Sequence, residues 1–264
     1  MRGRREEPET RDLDYGNWIR TRILWQLAVG SFTAALLVLA PVHPTIRIAS
    51  GVLAALLLVS VLFPLYAHYC FSARGGNLQR RVYTLISESI GAGTDGDILD
   101  IGTGNGVLAV TLALANMSAR VVGIDCWGSD WEYAQSVCED NALRAGVAER
   151  VSFQQGTAAQ LPYADAVFAA VTSNLTFHEV KSEPQKVLLI SEALRVVRPG
   201  GRFALIDLFY DSSYYGSQRE LEAFIEGLAL SRVELCPLSS KIGLPRLLRH
   251  PRILGRAGLL YGEK

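Results

Sequence analysis

Gly102-Thr103-Gly104-Asn105-Gly106 follows directly on Asp97-Ile98-Leu99-Asp100-Ile101. Glycine at alternate positions lets the main chain turn sharply and lets a ligand lie against bare backbone. The spacing is not the G-x-G-x-x-G of a dinucleotide loop, because the third glycine comes one residue early and Val107 fills its place. Asp100, at the mouth of the turn, would repel a pyrophosphate and attract a ligand carrying an ammonium and a sulfonium. That description fits S-adenosylmethionine (SAM). A second apolar run, Val121-Val122-Gly123-Ile124, ends on Asp125, 25 residues beyond Asp100. A carboxylate at the tip of a second strand can accept both hydroxyl hydrogens of a ribose.

The stretches DILDIGTGNG, GIDCW, Leu161-Pro162 and RVVRPGGRFALID (195–207) resemble class I SAM-dependent methyltransferases, especially the quinone-biosynthesis-like small-molecule group. The likeness covers about residues 97–207. It implies that Asp100, Gly102, Thr103, Gly104 and Gly106 line the methionine part of SAM. It implies that Asp125 holds the ribose, with Cys126 and Trp127 near the adenine and Gly156-Thr157-Ala158 beside the adenine edge. Many relatives carry Asp where this chain has Thr157, so the adenine amino group falls to the Thr157 hydroxyl or to main chain. In the resembled fold the end of the fourth strand faces the methyl group. Ser173, Asn174 and His178 in Thr172-Ser173-Asn174-Leu175-Thr176-Phe177-His178-Glu179 are therefore the catalytic candidates, with Asn174 also a cofactor contact. The Asn-Pro-Pro-aromatic motif of amino-group methylation is absent. A histidine titrating near 6.5 could take a proton from a hydroxyl or thiol, or could merely bond a neighbouring loop. Asp207, Phe209, Tyr210, Tyr214 and Tyr215 could wall an acceptor pocket or simply pack.

These residues need elements to hold them. Short apolar runs predict strands near 97–101, 120–124, 150–154, 166–172, 202–208, 232–236 and 257–262. Amphipathic stretches between them predict helices over 77–91, 105–116, 131–144, 183–196 and 216–230, the fourth opened by a capping box at Ser182–Gln185. Such alternation means an α/β fold, here Rossmann-like with a seven-stranded, mostly parallel sheet, and ligands bind beyond the carboxyl ends of its strands.

Before this domain lie two uncharged runs, Ile23–Ala40 and Ile48–Phe71. Each is long enough to cross a bilayer, and the link 41–47 is too short to be a domain. They predict an antiparallel transmembrane hairpin over 23–71, between a tail at 1–22 and the catalytic domain at 72–264. Gly30 and Gly51 could let the two helices approach closely. Arg2, Arg4, Arg5, Arg11, Arg20 and Arg22 precede the first run, and Arg74, Arg80 and Arg81 follow the second. Arg47 stands alone between them, so both termini and the catalytic domain are expected in the cytoplasm. Tyr15, Trp18, Trp25, Tyr66 and Tyr69 would form an aromatic belt on that face. A cleaved signal peptide and a buried helical pair are the competing readings.

Charge is uneven although the net is zero. Residues 82–240 carry ten basic and twenty acidic side chains, while 241–264 carry six basic and one acidic. An acidic globule with basic ends is not a nucleic-acid binder. It suits a domain held against an anionic membrane, and the segment 241–256 interleaves Lys and Arg with Leu and Ile as an interfacial segment or a solvated loop does. Cys70, Cys126, Cys138 and Cys236 make no C-x-x-C pair, and no metal is expected. The expectation is a membrane-anchored SAM-dependent methyltransferase acting on a lipophilic small molecule. Its rival is a SAM-binding membrane sensor or scaffold without catalysis.

Overall fold

A computed structural model describes residues 13–128, 133–251 and 253–264. The basic tail residues before Leu13, and Arg252, lie outside the described residues. The chain divides into two compact units, Gly16–Gln79 and the remainder. The second unit thus takes up Leu13–Tyr15, from the expected tail, and begins again at Arg80 rather than at 72.

The smaller unit is a helical hairpin. Helix α1 spans Thr21–Leu39 and α2 spans Pro44–Phe71. At about 1.5 Å per residue they are roughly 28 and 42 Å long. Gly30 lies against Leu57 and Gly51 against Val38, so rising numbers on one helix meet falling numbers on the other: the pair is antiparallel. A Cβ at either glycine would find ordinary contact distances of 3.5 and 3.7 Å, so neither glycine is required for the approach. Ser31 Oγ donates across the pair to the Ala54 carbonyl at 3.2 Å. The expected link 41–47 is shorter than its sequence suggested, because Pro44 has the φ of a first helical turn and starts α2 there. Arg47 falls inside that first turn and reaches back to the Ala40 carbonyl at 3.3 Å. At the open end Asn17 Nδ2 donates to the His68 carbonyl at 3.0 Å, and Trp18 packs on Phe71 with centroids 5.0 Å apart. Away from their seam both helices expose large apolar side chains, among them Trp25 at 70%, Phe32 at 65% and Leu39 at 82%.

The larger unit is built on one sheet. Helix α3 (Leu78–Ile90, shared at its start with the hairpin) leads to β1 (Ile98–Ile101), α4 (Val107–Ala115), β2 (Val121–Asp125), α5 (Gln135–Arg144), β3 (Val151–Gln155) and β4 (Phe168–Asn174). Then come α6 (Lys186–Arg195), β5 (Val197–Asp207), α7 (Ser212–Tyr215), α8 (Gln218–Glu226), β6 (Arg232–Pro237), α9 (Leu238–Lys241) and β7 (Gly258–Glu263). The strand order is β3-β2-β1-β4-β5-β7-β6, with β1 to β5 parallel and β7 antiparallel to both its neighbours. All four residues of β1 are buried, as a strand covered on both faces must be. Strand order reverses between β1 and β4, which is where ligands bind in such sheets.

Helices α4, α5, α6 and α8 start two to four residues later than expected, and the expected start of α5 at 131 lies outside the described residues. Helix α6 begins at Lys186, not 183, and has no side-chain cap. The Glu183 carboxylate accepts the Gln185 N–H at 2.8 Å, and Lys186 Nζ takes the Glu183 carbonyl, so the box expected at Ser182 does not form. A true capping box opens α8, where the Ser217 hydroxyl accepts from Glu220 N and Glu220 Oε2 accepts from Ser217 N.

The segment after β6 bears on the site. Pro237 of β6 and Asp207 of β5 both stand opposite Gly258 of β7, so residues 238–257 cross the sheet edge where β5 ends. Ile242, Leu244, Leu248 and Leu254 are buried, while Leu247 is 58% exposed on the 3₁₀ turn Arg246–Arg249. Ile242, Leu244, Leu248 and Leu254 therefore face the interior, while Arg246, Arg249 and Arg256 are exposed.

Candidate active site

The glycine turn is held from both sides. Gly102 N and Thr103 N donate to the Ile124 carbonyl at 2.8 and 3.2 Å, and Gly106 N donates to Thr103 O at 2.8 Å. Gly102 and Gly106 have φ of +73° and +75°, a region that side chains with a Cβ disfavour. A Cβ on Gly102 would run into the Thr176 side chain, and one on Gly106 would come within 2.9 Å of Phe153 and Cys138. The turn can be built from glycine only.

Asp100 is buried. Thr103 Oγ1 donates to its Oδ2 at 2.7 Å and Thr172 Oγ1 to its Oδ1 at 3.0 Å. Burial pushes its pKa up to about 7 against those two hydrogen bonds, and the charge of Asp125 adds to the rise. Asp125, at the tip of β2, accepts from Gly104 N at 2.8 Å through Oδ2 and from Trp127 N at 3.0 Å through Oδ1. Trp127 has φ +41°, unusual for a bulky residue, and its indole N–H donates to the Gly104 carbonyl at 2.9 Å. Cys138 Sγ donates to the same carbonyl at 3.0 Å; burial pushes its pKa up to about 12, so the thiol keeps its proton. Cys126 is exposed, and its carbonyl accepts from Gln155 Nε2 at 3.0 Å. Thr157 is exposed with its hydroxyl accepting from Ala159 N at 3.2 Å, and Ala158 is buried.

At the end of β4 the three catalytic candidates separate. Ser173 is buried and its hydroxyl donates to the Ile101 carbonyl at 2.9 Å, which pins β4 to β1. Asn174 follows, one residue beyond the Ser173–Ile101 pair and so level with Gly102. Its Oδ1 is buried without a partner among the described residues, as is Asn105 Oδ1. Leu175 then takes φ +53°, and this turn carries the chain into a 3₁₀ turn, Phe177–Glu179. His178 lies there with Nδ1 2.6 Å from Asp207 Oδ1, while its main-chain N–H donates to Asp207 Oδ2 at 3.1 Å. Leu208 N donates to Asp207 Oδ1 at 2.6 Å. Buried Asp207 thus fixes the ring with Nδ1–H toward itself and leaves Nε2 on the opposite side, 3.6 Å from Glu179 Oε1. Burial opposes a charge on His178, but the bond to Asp207 and the charges of Asp207 and Glu179 outweigh it, so its pKa is raised above 6.5.

The aromatic residues divide too. Phe209 and Tyr215 are buried and packed on each other at 4.9 Å, whereas Tyr214 stands beside His178 with centroids 5.6 Å apart. The Tyr215 hydroxyl is buried without a partner among the described residues.

Residues 99–205 match the family model described as a methyltransferase domain. Over these residues the chain resembles SAM-dependent methyltransferases, and the relatives below carry the same activity in their names. It is 38% identical over 125 residues to the 27-O-demethylrifamycin SV methyltransferase of Amycolatopsis mediterranei, a match covering 47% of this chain and 43% of that one. It is 33% identical over 110 residues to the ubiquinone/menaquinone biosynthesis C-methyltransferase UbiE of Brucella anthropi, covering 41% of this chain and 39% of that one. The chain thus spans less than half the length of these two relatives. Among solved structures, geranyl diphosphate C-methyltransferase from Streptomyces coelicolor A3(2) shares the fold at TM-score 0.55 and 16% identity, covering 71% of this chain and 80% of that one.

SAM is the cofactor that this domain type implies, and the loop fits it. Two buried carboxamide oxygens without partners among the described residues, Asn105 within the glycine turn and Asn174 beside it, could receive N–H donors. Asp100 and Asp125 repel each other there, and a cationic ligand would relieve the repulsion. Signals for Asp207 and Tyr214 were already in the sequence, but the partnership of Asp207 with His178 has no local signature. It joins residues 29 apart at the ends of two adjacent strands.

Proposed function

We propose that this methyltransferase is membrane-anchored and transfers the methyl group of SAM to an O–H group of a lipophilic small molecule. The observation that carries the reading is the 2.6 Å contact between His178 Nδ1 and Asp207 Oδ1 at the carboxyl edge of the sheet. SAM supplies an electrophilic methyl on a sulfonium. The chain supplies position and a proton acceptor. Asp100, Gly102, Thr103, Gly104 and Gly106 seat the methionine end, Asn105 and Asn174 offer acceptors to its ammonium, and Asp125 turns to the ribose hydroxyls. Cys126, Trp127, Thr157 and Ala158 border the adenine. His178 Nε2 takes the acceptor's proton as its oxygen is methylated, and Asp207 stabilises the imidazolium that results. Tyr214, beside the imidazole, gives the acceptor an aromatic wall. In-line alignment supplies much of the acceleration, so this base is the group that tells methylation of an acidic O–H from simple approximation.

The membrane part rests on the hairpin. Two helices long enough to span a bilayer expose apolar side chains outward, and water penalises such a surface. Arginines on the flanks support a topology with both termini and the catalytic unit on the cytoplasmic side. A lipophilic acceptor matches an enzyme held at the bilayer.

The test is incubation of the full chain with methyl-labelled SAM and a membrane lipid extract, followed by mass spectrometry. Label on oxygen of a lipid-soluble compound, with S-adenosylhomocysteine formed in equal amount, is expected. Bound SAM with no label in any fraction would favour the sensor or scaffold reading. Label on nitrogen would remove His178 from the mechanism proposed.

A further inference from the structure

The Asn141 side chain, on α5, is fully buried and makes three hydrogen bonds. Its Nδ2 donates to the Asn105 carbonyl inside the glycine loop at 2.9 Å. The other two bonds leave the domain's sequence altogether. Oδ1 accepts the Asp14 main-chain N–H at 2.8 Å, and Nδ2 donates to the Asp14 carbonyl at 2.9 Å. One carboxamide therefore grips the main chain of a residue 127 positions away, as a neighbouring strand would. Leu13 and Tyr15, on either side, are each 6% exposed, and Tyr15 stacks on Tyr83 with centroids 5.9 Å apart and planes 11° apart. One turn earlier on α5, Cys138 Sγ donates to the carbonyl of Gly104. Helix α5 thus holds two consecutive carbonyls of the glycine loop, and the second hold is shared with Leu13–Tyr15.

We propose that Leu13–Tyr15 is a strap that keeps the cofactor loop in its binding conformation, with Asn141 the positioning residue that transmits it. The inference rests on the glycine loop being the seat of SAM. Releasing the strap would leave a buried acceptor and a buried donor of Asn141 unmade, a state proteins strongly disfavour. The amide would then turn to find partners, and the Asn105 carbonyl would lose its hold. Loop order and strap closure are consequently linked, and a ligand that needs the ordered loop must favour the closed strap in equal measure. Only residues 16–20 lie between the strap and Thr21, the first residue of α1.

The test is SAM binding by titration calorimetry on the full chain in detergent. Asp14→Ala keeps both main-chain groups, and Asp14→Pro removes the N–H that Asn141 accepts. Asp14→Pro is expected to bind SAM about five- to tenfold more weakly than Asp14→Ala, the effect of one buried hydrogen bond. In an Asn141→Ser background the same exchange should change affinity by about twofold or less, because the two residues act through one contact. Equal affinity of Asp14→Pro and Asp14→Ala, or an identical proline effect in both backgrounds, would overturn the strap. A second measurement needs no variant. Amide hydrogen exchange across residues 13–15 of the wild-type chain should slow when SAM is added, and unchanged exchange on saturation would also overturn the strap. Wild-type protein that binds no SAM would instead overturn the seat itself.

Discussion

His178 shows what residue types alone could and could not convey. The sequence offered a histidine at the end of a strand, with catalysis and packing both open. The structure adds Asp207, which orients the ring and raises its pKa. A raised histidine pKa gives stability that is fully present below the unfolded value, about 6.5, and is lost as pH rises through the folded value. Catalysis needs the opposite form, the neutral ring. The rising limb of kcat/KM against pH should therefore stand on the alkaline side of 6.5, and Asp207→Asn should move it toward acid while lowering its plateau. A limb at the same pH in both proteins would detach Asp207 from the base. Asp125 is a simpler case: Asp125→Ala should weaken SAM binding by about 1–3 kcal/mol, measured by calorimetry, as expected for loss of a charged hydrogen-bond partner. Ser173 was legible only as a polar residue in the right place. That its hydroxyl faces Ile101 depends on strand register, which residue type does not reveal.

At the scale of elements, the strands were readable because β1, β2 and β4 are short apolar runs ended by glycine or a polar cluster. Helix starts were less so. Ser182 through Gln185 had the composition of a cap, yet Lys186 draws the Glu183 carbonyl and the turn closes otherwise. Ser217 and Glu220 carry the same signal and do cap. The stretch 241–256 was the hardest. Its alternation of basic and apolar residues suited a membrane surface, and burial of Leu248 and Leu254 reflects partners brought from elsewhere in the fold. Leu248→Ala should cost about 2–5 kcal/mol in chemical denaturation, the usual range for emptying a core leucine site. Leu247→Ala, on the exposed side of the same turn, should change stability by less than about 0.5 kcal/mol. Equal losses would mean that the turn does not pack as described.

For the molecule as a whole, two units with different surfaces share one chain. Apolar run length made the hairpin visible in the sequence, and the glycine loop made the methyltransferase unit visible. Capture of Leu13–Tyr15 by the second unit was not legible, because three residues ahead of an apolar helix carry no periodic signal. If the hairpin spans a bilayer with its turn outward, a cysteine introduced at His43 should react with an impermeant thiol reagent added outside cells. A cysteine at Arg80 should not. Labelling of both sites, or release of the protein by high salt, would contradict that topology.

The central claim is that this chain methylates an O–H group with His178 as the base. It is tested most directly by measuring S-adenosylhomocysteine release and SAM affinity together, for wild type and His178→Ala, with the full chain in lipid vesicles containing a lipophilic phenol. Turnover by the wild type is expected, with a loss of roughly 10²–10⁴-fold in His178→Ala and SAM affinity nearly unchanged. Equal turnover per folded molecule in the two proteins, or tight SAM binding with no turnover in either, would contradict it.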